Sequence, residues 1–155
     1  MNKCSILLVD DFEDGLDMYQ EYLTYRGYQV VVARSGEEAI VQARMHRPDV
    51  ILLDIRMPGM TGTDAMRVLR SDPSFRRVPI IALTSHALDG ERIAALAAGF
   101  DDLIPKPCLP DQLALAVERI LATTRELPAT PGVHRSQMGP GDGIRSIAEN
   151  NRGSL

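Results

Sequence analysis

Four aliphatic residues, Val50-Ile51-Leu52-Leu53, run unbroken into Asp54. A short apolar run without polar alternation suits a strand buried on both faces, as in a parallel sheet covered by helices. Pro58-Gly59 marks a turn just beyond. Asp54 is therefore expected at the carboxyl end of a central strand. In open α/β sheets that end is where ligands and chemistry collect.

The same grammar repeats along the chain. Ile6-Leu7-Leu8-Val9 runs into Asp10 and Asp11. Phe12, Leu16, Tyr19 and Leu23 follow at spacings that trace one helix face, and Gly27 closes that helix. Tyr28 to Ala33 reads as a second strand. Ser35 with Glu38 fits a capping box at the next helix start. That helix must stop near Arg47, because Pro48 disfavours helical geometry in the residue before it. Thr61 to Asp64 starts a third helix with Ala65, Val68 and Leu69 inward, and Ser71 to Ser74 breaks it. Ile80 to Leu83 ends at Thr84-Ser85, an alanine-rich helix spans about 89–98, and Leu103-Ile104 runs to Pro105-Lys106-Pro107. Pro110 suits the first turn of a last helix whose inner face is Leu113, Val117, Ile120 and Leu121. Strand and helix alternate five times, which argues a doubly wound α/β fold with a parallel five-stranded sheet and right-handed crossovers.

Composition shifts at Leu127. The last 29 residues hold five glycines and three prolines, so 1–126 is expected to fold and 127–155 to be a disordered tail. The chain carries −4 overall, which offers nothing to a nucleic-acid backbone. No apolar run approaches the ~20 residues of a membrane span, and the start resembles no signal peptide, so a cytoplasmic setting is expected. Cys4 and Cys108 lack metal-ligand spacing and are expected to be reduced thiols.

The strand ends deliver Asp10, Asp11, Asp54, Thr84 and Lys106 to one edge. Crowded carboxylates resist ionising unless a positive charge sits among them. Hard oxygen ligands suit Mg²⁺. A carboxylate nucleophile, Mg²⁺, a lysine and a hydroxyl are the parts phosphoryl transfer needs.

These residues carry a resemblance. Leu8-Val9-Asp10-Asp11, Leu53-Asp54, Met57-Pro58-Gly59-Met60 with Gly62, Ala82-Leu83-Thr84-Ser85 and Lys106-Pro107 stand in order. Asp10 to Asp54 is 44 residues, Asp54 to Thr84 is 30 and Thr84 to Lys106 is 22. From residue 5 to about 124 the chain resembles the receiver domain of bacterial two-component response regulators. The resemblance implies strand order 2-1-3-4-5, the flavodoxin-like winding. It implies that Asp54 accepts a phosphoryl group from a histidine kinase or phosphotransfer protein. Asp10, Asp11, Asp54 and the Arg56 carbonyl would hold Mg²⁺. Thr84, the Ser85 amide and Lys106 would bind the phosphoryl group, and the Lys106-Pro107 peptide would be cis. Thr84 would move as a switch. Its usual partner position is Leu103, which departs from the family's tyrosine or phenylalanine and has neither ring nor hydroxyl. By the same resemblance Arg56 and His86 would flank the site as modulators of phosphoryl lifetime.

The resulting expectation is a stand-alone receiver. It would be read by a protein partner, or pair with itself, through the face made of helix four, strand five and helix five. A phosphorylation-independent interaction module on the same fold stays open. An aspartyl-phosphate hydrolase is disfavoured by Arg56, where the dehalogenase type needs a second aspartate. A flavin binder is disfavoured by Asp10-Asp11-Phe12, which is no phosphate cradle.

Overall fold

The computed structural model describes residues 3–85 and 89–126. Its elements alternate as read: β1 (Ser5–Val9), α1 (Glu13–Tyr25), β2 (Gln29–Ala33), α2 (Gly36–His46), β3 (Val50–Asp54), α3 (Gly62–Ser71), β4 (Ile80–Thr84), α4 (Asp89–Ala98), β5 (Asp102–Pro105) and α5 (Pro110–Glu126). A single 3₁₀ turn at Pro73–Phe75 separates α3 from β4. The five strands pair in parallel in the order β2-β1-β3-β4-β5. Compactness divides the chain after Ala122. The expected tail, 127–155, lies outside the described residues.

The unbroken apolar runs become strands covered on both faces. Every residue of β3 and β4 is buried. Alternate side chains serve opposite layers, as strand geometry requires. Leu7, Val9, Ile51, Leu53, Ile80, Ala82 and Leu103 pack with α2, α3 and α4 through Ala39, Ala43, Ala65, Met66, Leu69 and Ala95. Ile6, Leu8, Leu52, Ile81, Leu83 and Ile104 pack with α1 and α5 through Leu16, Tyr19, Leu23, Leu113, Val117 and Leu121.

Local signals set the joints. Gly27 takes φ +98, a conformation open to glycine, just after α1. Arg47 ends α2 in the left-handed region at φ 47, directly before Pro48. Thr61 and Asp64 form a reciprocal capping box on α3. Ser35 caps the Glu38 amide, but the Glu38 carboxylate reaches one residue further back, to the Arg34 amide. The expectation for Phe12 needs correction. It is the extended residue before α1 and 60% exposed, outside the buried face of Leu16, Tyr19 and Leu23. The Asp10 carboxylate holds the Phe12 amide at 3.0 Å, so the chain turns there and the helix begins one residue later.

Candidate functional site

Parallel strands end together, so residues far apart in sequence meet at one edge. Asp10 follows β1, its amide donating to Ala33 O at 3.1 Å. Asp54 is the last residue of β3 and Thr84 the last of β4. Lys106 follows β5, its amide donating to Thr84 O at 2.7 Å, and the Lys106-Pro107 peptide is cis. The Lys106 Nζ donates to Asp10 Oδ2 at 2.6 Å and lies 3.5 Å from Asp54 Oδ2. The other oxygens are held by their own loops: Phe12 N donates to Asp10 Oδ1, and Arg56 N to Asp54 Oδ1 at 3.1 Å. Asp10 is 1% exposed, Asp54 6% and Thr84 1%; Asp11 stands in solvent.

Burial pushes the Asp54 carboxyl up from 3.8 to about 6; Lys106 pulls it back and the Asp10 charge adds to the rise. Burial works against the charged Lys106, but its bonds to Asp10 and Asp54 outweigh that and hold it above the usual lysine value. One lysine therefore balances part of a buried anionic cluster. Oxygen atoms of Asp10, Asp11 and Asp54 all lie within 4.8 Å of one another. The donor set is all oxygen and anionic, which suits a hard divalent cation such as Mg²⁺. The hydrogen bonds to Asp10 and Asp54 leave further lone pairs on their oxygens. The residues fit Mg²⁺.

The remaining expected residues divide. Ser85 directly follows β4 and is exposed. Leu103 is 3% exposed and packs in the layer of α3 and α4. The Arg56 side chain turns to Glu91 on α4, Nη2 to Oε1 at 3.4 Å. His86 lies outside the described residues. Sequence reasoning missed two neighbours of the site. Glu91 is one. The other is the bond from the Tyr19 hydroxyl to Cys108 O at 2.8 Å, which ties α1 to the loop after β5. A tyrosine on an otherwise aliphatic face needs a partner for its hydroxyl, and that was the available signal. Cys4 and Cys108 are both free thiols.

The raised Asp54 pKa gives a pH prediction for the metal-free protein. The folded state holds this proton more tightly than the unfolded state. The associated stability is full below the unfolded value near 4 and is lost as pH rises through about 6. A rise of this size corresponds to at most about 3 kcal/mol. Asp54→Asn removes the titration. In EDTA its stability advantage over wild type should grow between pH 4.5 and 8, read by urea denaturation. A pH-independent difference between the two proteins would contradict the placement of this carboxyl.

Comparison with known proteins agrees with the geometry. A family model described as the response regulator receiver domain matches residues 6–118. The response regulator PleD of Caulobacter vibrioides is 38% identical over 120 residues, 77% of this chain and 26% of PleD. The polar-differentiation response regulator DivK of Brucella anthropi is 34% identical over 103 residues, 66% of this chain and 84% of DivK. The chain thus spans about a quarter of PleD and most of DivK. The chemotaxis protein CheY4 of Vibrio cholerae superposes with a TM-score of 0.73 at 30% identity, covering 76% of this chain and 98% of its own. The family match runs from β1 into α5 and takes in all five strand ends at the acidic edge, and on that ground the chain belongs to the response regulator receiver domain family.

Proposed function

We propose that Asp54 accepts a phosphoryl group from the phosphohistidine of a histidine kinase or phosphotransfer protein, and that a protein partner reads the loaded state. One observation carries the reading: the Asp54 carboxylate sits at the end of the central strand with Lys106 Nζ at 3.5 Å and the Asp10 and Asp11 oxygens clustered with its own. Family membership supports the general role, since receiver domains are phosphoacceptors of two-component signalling and bind Mg²⁺ at their acidic pocket.

An Asp54 oxygen attacks phosphorus. The O–P bond forms, the P–N bond breaks, and the electron pair leaves on the imidazole nitrogen. The product is an acyl phosphate. Ionised Asp54 is the attacking form, and in the metal-free protein burial holds that carboxyl up at about 6. Lys106 pairs with the phosphoryl oxygens, and Thr84 with the Ser85 amide supplies donors from the end of β4. Asp10, Asp11, Asp54 and the Arg56 carbonyl would hold Mg²⁺, which supplies positive charge against the phosphoryl oxygens. The phosphoryl group replaces the single Asp54 carboxylate charge with about 1.5–2 negative charges and three acceptor oxygens, and so favours one of two pre-existing states. The reading face is α4, β5 and α5, through which a second copy is a further candidate partner. Ile93, Leu96 and Leu115 are exposed on these helices.

Intact mass after incubation with acetyl phosphate and Mg²⁺ tests the reading. Wild type should gain one phosphoryl group and Asp54→Asn none. A labelled Asp54→Asn protein overturns the assignment. An unlabelled wild type that also refuses phosphohistidine donors points to a phosphorylation-independent module.

A further inference from the structure

Helix α4 is held more lightly than the other helices. Among its described side chains only Ala95 is buried. An element with so little buried apolar area sits at the low-stability end of a fold. Charged pairs on two consecutive residues do much of the holding. Glu91 pairs with Arg56 on the loop after β3 at 3.4 Å. Arg92 pairs with Asp102 on β5 at 2.7 Å and donates to Leu103 O at 3.3 Å. Consecutive residues leave a helix about 100° apart, so these two tethers run to different flanks. A cavity of about 300 Å³ separates α3 from α4. Both members of the Arg56–Glu91 pair line it, with Ile55, Thr63, Ala94 and Ala98. The first turn of α4 therefore has room to shift once its tether opens.

The tether begins at the phosphoacceptor. Arg56 N is bonded to Asp54 Oδ1, so the Arg56 side chain springs from backbone that already touches the Asp54 carboxylate. The Arg56 side chain is 58% exposed and the Glu91 side chain 34%, so the pair is partly solvated and readily exchanged. A phosphoryl group offers about 1.5–2 negative charges and three acceptor oxygens against a single carboxylate charge, and the planar guanidinium fork can take two of those oxygens at once. Leu103 supplies no ring or hydroxyl to carry a signal along β5, and it is packed into the core.

Resting on the receiver reading above, we propose that Arg56 is the residue that couples phosphorylation to α4 by changing partners. It holds Glu91 while Asp54 is a bare carboxylate and turns to the phosphoryl group when Asp54 is loaded. Of the two ion pairs described on the first turn of α4, the Arg92 tether to β5 then remains.

Hydrogen exchange of α4 peptides in the full chain, with intact mass on the same samples, tests the exchange of partners. Loading wild type with acetyl phosphate and Mg²⁺ should speed α4 amide exchange about two- to fivefold, the size set by losing one partly exposed pair. Unloaded Glu91→Gln and unloaded Arg56→Gln should each show the same acceleration. Loading Glu91→Gln should add one phosphoryl group by mass and nothing further to α4 exchange. If Glu91→Gln loosens the helix and Arg56→Gln does not, lost helix-terminal charge is the cause and the proposal falls. It falls equally if loading still accelerates exchange in Glu91→Gln, or if loaded wild type exchanges as unloaded. A wild type that gains no mass defeats the receiver reading itself, and the mass channel separates that result from the others.

Discussion

Gly62→Ala is expected to cost about 4 kcal/mol or more, a large part of the stability of a domain this size. Gly62 opens α3, and its amide donates to Ile55 O at 2.8 Å. A Cβ there would stand 2.1 Å from the Asp54 carbonyl oxygen and 2.8 Å from the Asp54 carbonyl carbon and Ile55 Cα. All three obstacles are backbone, so no side-chain rotation relieves them. Either α3 withdraws from the end of β3, or Asp54 and its clustered carboxylate move. Denaturant unfolding reads the loss, and an alanine protein with the wild-type midpoint would refute this packing.

Lys106→Met should also destabilise the metal-free protein, by about 3 kcal/mol. That is the low end for breaking a buried pair, because Lys106 keeps 20% side-chain exposure. The substitution keeps the length of the apolar stem and removes the charge. Asp10, 1% exposed, then faces Asp54 with no cation between them. Without the lysine the raised Asp54 carboxyl loses the charge that pulls it back, so the defect should be larger at pH 8 than at pH 5. Mg²⁺ should restore most of the loss, since it supplies charge to the same oxygens. Unfolding midpoints in EDTA and in millimolar Mg²⁺ test this. Equal midpoints for variant and wild type in EDTA would show that the lysine balances nothing.

Much of this was legible in the residues because the strands are unbroken apolar runs. Val50 to Leu53 and Ile80 to Leu83 leave no alternative face to expose, and each stops at a polar residue that marks the working edge. Order and spacing then sufficed to gather Asp10, Asp54, Thr84 and Lys106 at that edge. The departures are contacts that depend on rotation about a helix axis or on a single turn. Phe12 fits the period of α1, yet the Asp10 carboxylate claims its amide and puts it before the helix. Glu38 matched a capping box but bonds the Arg34 amide. Glu91 is one acid among many in the sequence. Only the placement of α4 beside the β3–α3 loop makes it the partner of Arg56.

The Asp10–Lys106 bond joins the ends of β1 and β5 across the two strands that lie between them. That has a consequence for how the chain is made. A ribosome delivers Asp10, Asp11 and Asp54 well before Lys106, so a nascent chain lacking β5 holds its acids at one edge without their counter-charge. Folding of that partial sheet is opposed by the repulsion the finished domain has relieved. A divalent cation can stand in until the lysine emerges. The charge that completes this acidic edge is translated last, so an incomplete chain does not hold the balanced carboxylate cluster of the finished domain.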